Sequence, residues 1–200
     1  MTNKKVLASA HYYGNDYLSV LSEGMGCLGI SDLDWKDIIF LCVGTSRSLG
    51  DRVGPLVGES LKSKGFTVYG TMDDQVHALN ISDVYEQIKR EYPDRFIFCV
   101  DACVTEFPEK VGLISLVSSP LRPGTGVGKE LGSYGDCCIS GVTLCRVEDD
   151  FETNVLLHLV GIGLVKSISE KIVEVISLYF CGSEDSFPYL DKREVKYEYV

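Results

Sequence analysis

From residue 37 onward the chain alternates continuous apolar runs with glycine-rich or polar stretches. Ile38-Ile39-Phe40-Leu41-Cys42-Val43, closed by Gly44, is apolar at both parities, as a strand covered on both faces requires. Pro55 suits a first helical turn, Leu56, Val57 and Leu61 follow it, and Gly65 stops the pattern, which predicts a helix over 55–64. The alternation then repeats. A short strand at Phe66–Tyr69 leads through the polar loop Gly70–Asn80 into a helix from about Ser82 to Tyr92, carrying Val84, Tyr85 and Ile88 and ended by Pro93. Phe96–Val100 and Val111–Val117 read as a third and a fourth strand. The connection between them is too short for a crossover helix, so a mixed sheet is expected. Residues 137–145 supply a fifth strand. Leu157, Gly161, Val165, Ile168, Ile172 and Ile176 recur at helical steps, which predicts one long helix from about Glu152 to Tyr179.

The ends of the chain are less patterned. Residues 1–36 show only a short helix containing Tyr17, Leu18, Val20 and Leu21, and the stretch after Gly182 is charged and aperiodic. Alternating strands and helices imply a single α/β domain, a three-layer α/β/α sandwich on a mostly parallel, mixed, five-stranded sheet. Residues 1–36 are expected as an N-terminal extension and 183–200 as a C-terminal tail.

Composition narrows the function classes. The 200 residues are 45% hydrophobic and 24% charged, which excludes a disordered chain. With 19 basic against 29 acidic residues the net charge is −10, which repels phosphate backbones and anionic lipid, so neither nucleic acid nor a membrane is expected as partner. Lys4 and Lys5 precede no apolar run, and the uncharged stretch Thr153–Val165 is shorter than the ~18 residues a span needs. That stretch reads as buried helix, and a cytoplasmic protein is expected. The eight cysteines lack CxxC spacing, which favours reduced thiols.

In an open α/β sheet the loops leaving the carboxyl ends of the strands converge on a crevice. Asp51 lies in the loop Gly44–Asp51 after the first predicted strand, and Asp101 directly follows the buried run Phe96–Val100. If those strands are parallel neighbours, both carboxylates enter one cleft. Burial and mutual repulsion then leave one proton shared between them, the arrangement that lets one carboxylate activate water while the other protonates a leaving group. The alternative is that Asp51 caps the following helix and Asp101 accepts turn hydrogen bonds. Gly44, Thr45, Ser48 and His77 are the candidate lining of the cleft for substrate binding, with a histidine that bonds its own loop as the equal alternative for His77, while His158 reads as a core residue on an apolar helix face.

Other chemistry is poorly supported. Gly44 and Gly50 are one residue too far apart for a P-loop, and Asp51 replaces its lysine. Gly124-Thr125-Gly126-Val127-Gly128-Lys129 follows no strand, which argues against dinucleotide binding. Neither Cys99-x-x-x-Cys103 nor Cys137-Cys138 makes a zinc pattern, so no metal site and no cofactor is read. Cys103, beside Asp101, is either a buried strand thiol or an exposed nucleophile.

Four blocks in order, IFLCVGTSRSLGDRVGPLVG at Ile39–Gly58, YGTMDDQVHALN at Tyr69–Asn80, Val100-Asp101-Ala102-Cys103, and Pro123-Gly124-Thr125-Gly126, resemble the YyaC family of sporulation proteins. That family is similar to the spore germination protease and, more distantly, to the hydrogenase maturation endopeptidases, and the resemblance implies their α/β fold. In the germination protease the first catalytic aspartate follows a glycine-ended strand and precedes a Gly-Pro pair, as Gly44, Asp51, Gly54 and Pro55 do here. Its second opens an Asp-Ala dipeptide, matched by Asp101-Ala102.

The resemblance therefore implies a peptide-bond hydrolase of sporulation or germination, acting in the forespore on a protein or peptide substrate such as the basic, small acid-soluble spore proteins. Oligomerisation stays open. Two alternatives accompany it: a non-catalytic binding or regulatory protein on the same fold, and a metal-dependent amidase. The maturation enzymes bind metal with acids at the Asp51 and Asp101 positions and a histidine from a later loop. No histidine occurs between Ser118 and Gly135, so only His77, from a different loop, remains for that role.

Overall fold

The computed structural model describes residues 5–124 and 132–182, and a six-stranded sheet organises them. In chain order the elements are β1 (Val6–His11), α1 (Tyr17–Gly26), β2 (Ile38–Cys42), α2 (Val53–Ser63), β3 (Thr67–Tyr69), α3 (Ile81–Glu91), β4 (Phe96–Thr105), β5 (Leu113–Val117), β6 (Cys137–Cys145), α4 (Asp150–Leu159) and α5 (Ile162–Cys181). The strand order is β1-β5-β6-β4-β2-β3. Strands β3, β2, β4 and β6 run parallel, and β5 and β1 extend the sheet antiparallel.

Strand parity splits the core in two. Ile38, Phe40 and Cys42 of β2, with Phe98 and Val100 of β4, face α1, α2 and α5. Ile39 and Leu41, with Ile97 and Cys99, face α3. This is the three-layer α/β sandwich, and it explains why β2 is apolar at every position: neither face meets water. Phe40 anchors the larger side through ring contacts with Phe66, Phe98 and Phe180.

Three features depart from the sequence reading. The sheet has six strands rather than five, because Val6–His11 pairs with β5 along an edge; α1 follows it, so residues 6–26 pack against the core. Strand β4 continues to Thr105, which places Asp101 within a strand rather than after one. The expected long helix is two helices. Val160 and Gly161 both take extended backbone angles, and the break turns α4 away from α5 onto the 3-10 turn Leu49–Asp51 and β6. A glycine is worth about 1 kcal/mol less than alanine in a helix, which favours the interruption there.

The stretch Thr153–Val165 is consequently not a buried helix. Of α4 only Thr153 and Leu157 are buried, whereas Phe151 is 76% and Leu159 72% exposed. All eight cysteines are free thiols. Among the described residues no helix is long and apolar enough to cross a membrane. The glycine cluster at 125–128 and the tail at 183–200 lie outside the described residues.

Candidate functional site

The chain passes from β2 outward to β3, then returns to the other side of β2 as β4 and continues to β6. That reversal is a topological switch point, where the strand ends diverge and leave a crevice. A cavity of about 680 Å³ opens there, lined by Gly44, Thr45 and Asp51 after β2, His77 after β3, Asp101 and Cys103 of β4, and Ser140 of β6, among others.

Gly44 makes the first wall possible. Its φ of 154° lets the chain fold back so tightly that a Cβ there would lie 2.1 Å from the Asp51 carbonyl oxygen. The Thr45 amide donates to that same carbonyl at 3.3 Å. Asp51 ends the 3-10 turn Leu49–Asp51, and no side chain caps α2, whose N-cap is Arg52. The capping role open in the sequence is thus not the one Asp51 takes.

Gln75 and Arg52 hold the loop, and neither was singled out by sequence. The Gln75 Oε1 accepts from the Ser46 amide at 3.0 Å and from the Thr45 hydroxyl at 3.2 Å, and its Nε2 donates to Ser46 Oγ at 2.7 Å. The Arg52 guanidinium donates twice to the Ser46 carbonyl, at 3.0 and 2.6 Å. Thr45 therefore lines the cavity with its hydroxyl already engaged. Ser48 is buried and is not among the lining residues; its hydroxyl forms no hydrogen bond of full geometry, yet lies close enough to Asp51 to ease ionisation there.

Both carboxylates are hemmed in by protein while keeping part of their surface open. Burial holds Asp101 well above the ordinary carboxylate range; the Ala102 amide, donating to Asp101 Oδ1 at 2.9 Å, opposes that rise, and the charge of Asp51 adds to it. Asp51 is also raised by burial, but the nearby His158 ring and the Ser48 hydroxyl pull it back. The two environments thus push unequally, and Asp101 is the better proton holder.

His158 is the clearest correction among the histidines. Rather than packing in the core, it is exposed on α4, with Nδ1 2.9 Å from the Arg47 carbonyl oxygen. The helix break brings it there, and no helical periodicity in the sequence marks that break. His77 lines the cavity, and its Nδ1 accepts from the Leu79 amide at 3.3 Å, which leaves the neutral ring's proton on Nε2. Cys103 is half-buried, its thiol 3.8 Å from Ser140 Oγ.

Among the described residues no group of three His, Cys, Asp or Glu side chains is arranged to hold a metal ion, so Asp51, Asp101 and His77 do not form a ligand set. The arrangement can do acid–base chemistry on a neutral substrate through two unequal carboxyl groups.

A family model described as "Protein of unknown function (DUF1256)" matches residues 16–175. The chain belongs to the DUF1256 family. A relative, the "Uncharacterized protein YyaC" of Bacillus subtilis (strain 168), is 38% identical over 146 residues, 72% of this chain and 69% of the relative. The YyaC resemblance read from the sequence therefore stands. Among solved structures, a [NiFe] hydrogenase maturation protease HybD from Thermococcus kodakarensis is similar with a TM-score of 0.41 and 16% identity, covering 70% of this chain and 96% of that one. The DUF1256 description names no activity, and the chemistry has to come from the cavity.

Proposed function

We propose that this chain is a peptide-bond hydrolase in which Asp51 and Asp101 share the work on a water molecule. The observation that carries the reading is that the two carboxylates, 50 positions apart, line one cavity, where the charge of Asp51 helps to keep the proton on Asp101. Asp51, the more readily ionised, takes a proton from water as its oxygen attacks the amide carbon. Asp101, the proton holder, delivers its proton to the leaving nitrogen as the C–N bond breaks, and proton exchange with solvent resets the pair. His77 and the backbone at Gly44 and Thr45 border the bound chain.

The net charge of −10 favours basic substrates by long-range attraction. The YyaC resemblance supports a role in sporulation or germination, with basic, small acid-soluble spore proteins as the substrate class.

The test uses two unfolded proteins, reduced and alkylated lysozyme as the basic one and casein as the acidic one, with products read by mass spectrometry. The basic protein is cut preferentially, and Asp51→Asn and Asp101→Asn each lower the rate by about 10²-fold or more. Undiminished cleavage by either variant overturns the dyad. Full function of both variants in a sporulating cell leaves a binding or regulatory protein on the same fold.

A further inference from the structure

The pairing of β4 with β6 is irregular at one place. Cys103 pairs with Val142 and Val104 with Leu144, so β6 carries one extra residue, Thr143, opposite a continuous β4. Such a bulge breaks strict alternation and re-aims a side chain, and bulges concentrate beside active sites. This one is braced from outside the pair, because the Gly112 amide donates to the Val142 carbonyl at 2.8 Å. The extra residue is therefore held in place.

Thr143 lines the same cavity as Asp51 and Asp101. It is only 2% exposed, and its Oγ1 has no hydrogen-bond partner. Leaving a buried hydroxyl unpaired costs about 1–3 kcal/mol, whereas valine fits the same volume without that cost. Strand β6 also packs against the turn that ends in Asp51, so the bulge lies in an element that touches the acidic loop.

We infer that Thr143 is a substrate-binding residue whose hydroxyl donates a hydrogen bond to a carbonyl oxygen of a bound, uncharged amide. Two facts set the ligand class. The cavity holds two carboxyl groups, which repel anions, and much of its wall is apolar, including Val43, Val104, Val117, Leu121 and Leu157. A neutral acceptor flanked by apolar groups fits that lining, and a peptide unit supplies one. The inference deepens the hydrolase reading and rests on it for the peptide nature of the ligand. Thr143 has no part in the proton transfers.

The experiment titrates methyl-labelled protein with N-acetyl-dialanine N-methylamide, an uncharged chain of amide units, and follows threonine methyl signals by NMR. The Thr143 signal shifts saturably. Thr143→Ser keeps the affinity, and Thr143→Val weakens it about fivefold to tenfold while melting no lower than wild type, because no protein hydrogen bond is lost. Equal affinity in the valine variant, no saturable binding by wild type, or a markedly lower melting temperature for Thr143→Val overturns the inference. Asp51→Asn and Asp101→Asn are titrated in parallel. If they bind the amide and Thr143→Val does not, while no variant or wild type cleaves peptides, the hydrolase reading fails and the amide site stands.

Discussion

The amide of Val43 donates to the carbonyl of Val100 at 2.7 Å, the last rung between β2 and β4 before one chain turns at Gly44 and the other presents Asp101. On the other side of β2 the Gly44 amide donates to the Val76 carbonyl, also at 2.7 Å. These bonds join the three segments that carry Asp51, Asp101 and His77 next to the cavity. These sheet bonds fix where each segment leaves the sheet beside the cavity, and the consequences can be measured.

Asp101 keeps its proton above the pH at which an exposed aspartate loses it, since burial disfavours the anion and Asp51 repels it. Carbon-13 NMR of labelled aspartate carboxyls reads this directly. In Asp51→Asn the Asp101 midpoint moves down, because a raising charge is removed. An unmoved midpoint shows that the two groups do not couple.

The same shift fixes a sign for stability. A carboxyl whose folded pKa is raised favours the folded state below its unfolded value, about 3.9, and that contribution is lost as pH rises through the folded pKa. Asp101→Asn, which cannot ionise, therefore melts higher than wild type at neutral pH, by about 2–4 °C, and the difference shrinks towards pH 3. Thermal melts across that range check it; a variant less stable at neutral pH contradicts it.

Gln75→Ala removes the acceptor shared by the Ser46 amide and the Thr45 hydroxyl. Each lost bond is worth about 1 kcal/mol, so hydrogen exchange at Ser46 speeds up about tenfold while the amides of β2 keep their protection. Uniform acceleration over both segments places the effect in global stability instead.

Gly54 lies where α2 crosses the end of β2, and a Cβ there would sit 2.0 Å from the Val43 carbonyl oxygen. Gly54→Ala pushes the helix off the sheet and costs about 2–4 kcal/mol by urea unfolding. Gly163→Ala is the control. Its Cβ meets nothing within 4 Å, and alanine in α5 stabilises by about 0.5–1 kcal/mol.

The legible part of the site was the pair of acids. Asp101 stands out because it directly follows a run apolar at every position, and Asp51 because it closes the loop after another; bounded by glycine and turn residues, such runs read as covered strands whose ends open onto the crevice of an α/β sheet. His77 was accessible by the same logic. Gln75 was not, since a glutamine in a polar loop acquires meaning only when the loop it grips, 29 positions earlier, is seen against it. Thr143 sat unremarked in a regular-looking strand, because a bulge belongs to a pairing and not to one segment.

Periodicity and turn residues are local, so the chain on its own determined the order of the central strands and helices and the choice of candidate acids. Edge strand β1, the break at Val160–Gly161 and the approach of His158 to Asp51 depend on neighbours distant in sequence. Only packing decided them: a strand at a sheet edge, or a helix that turns, exists where another surface is there to receive it.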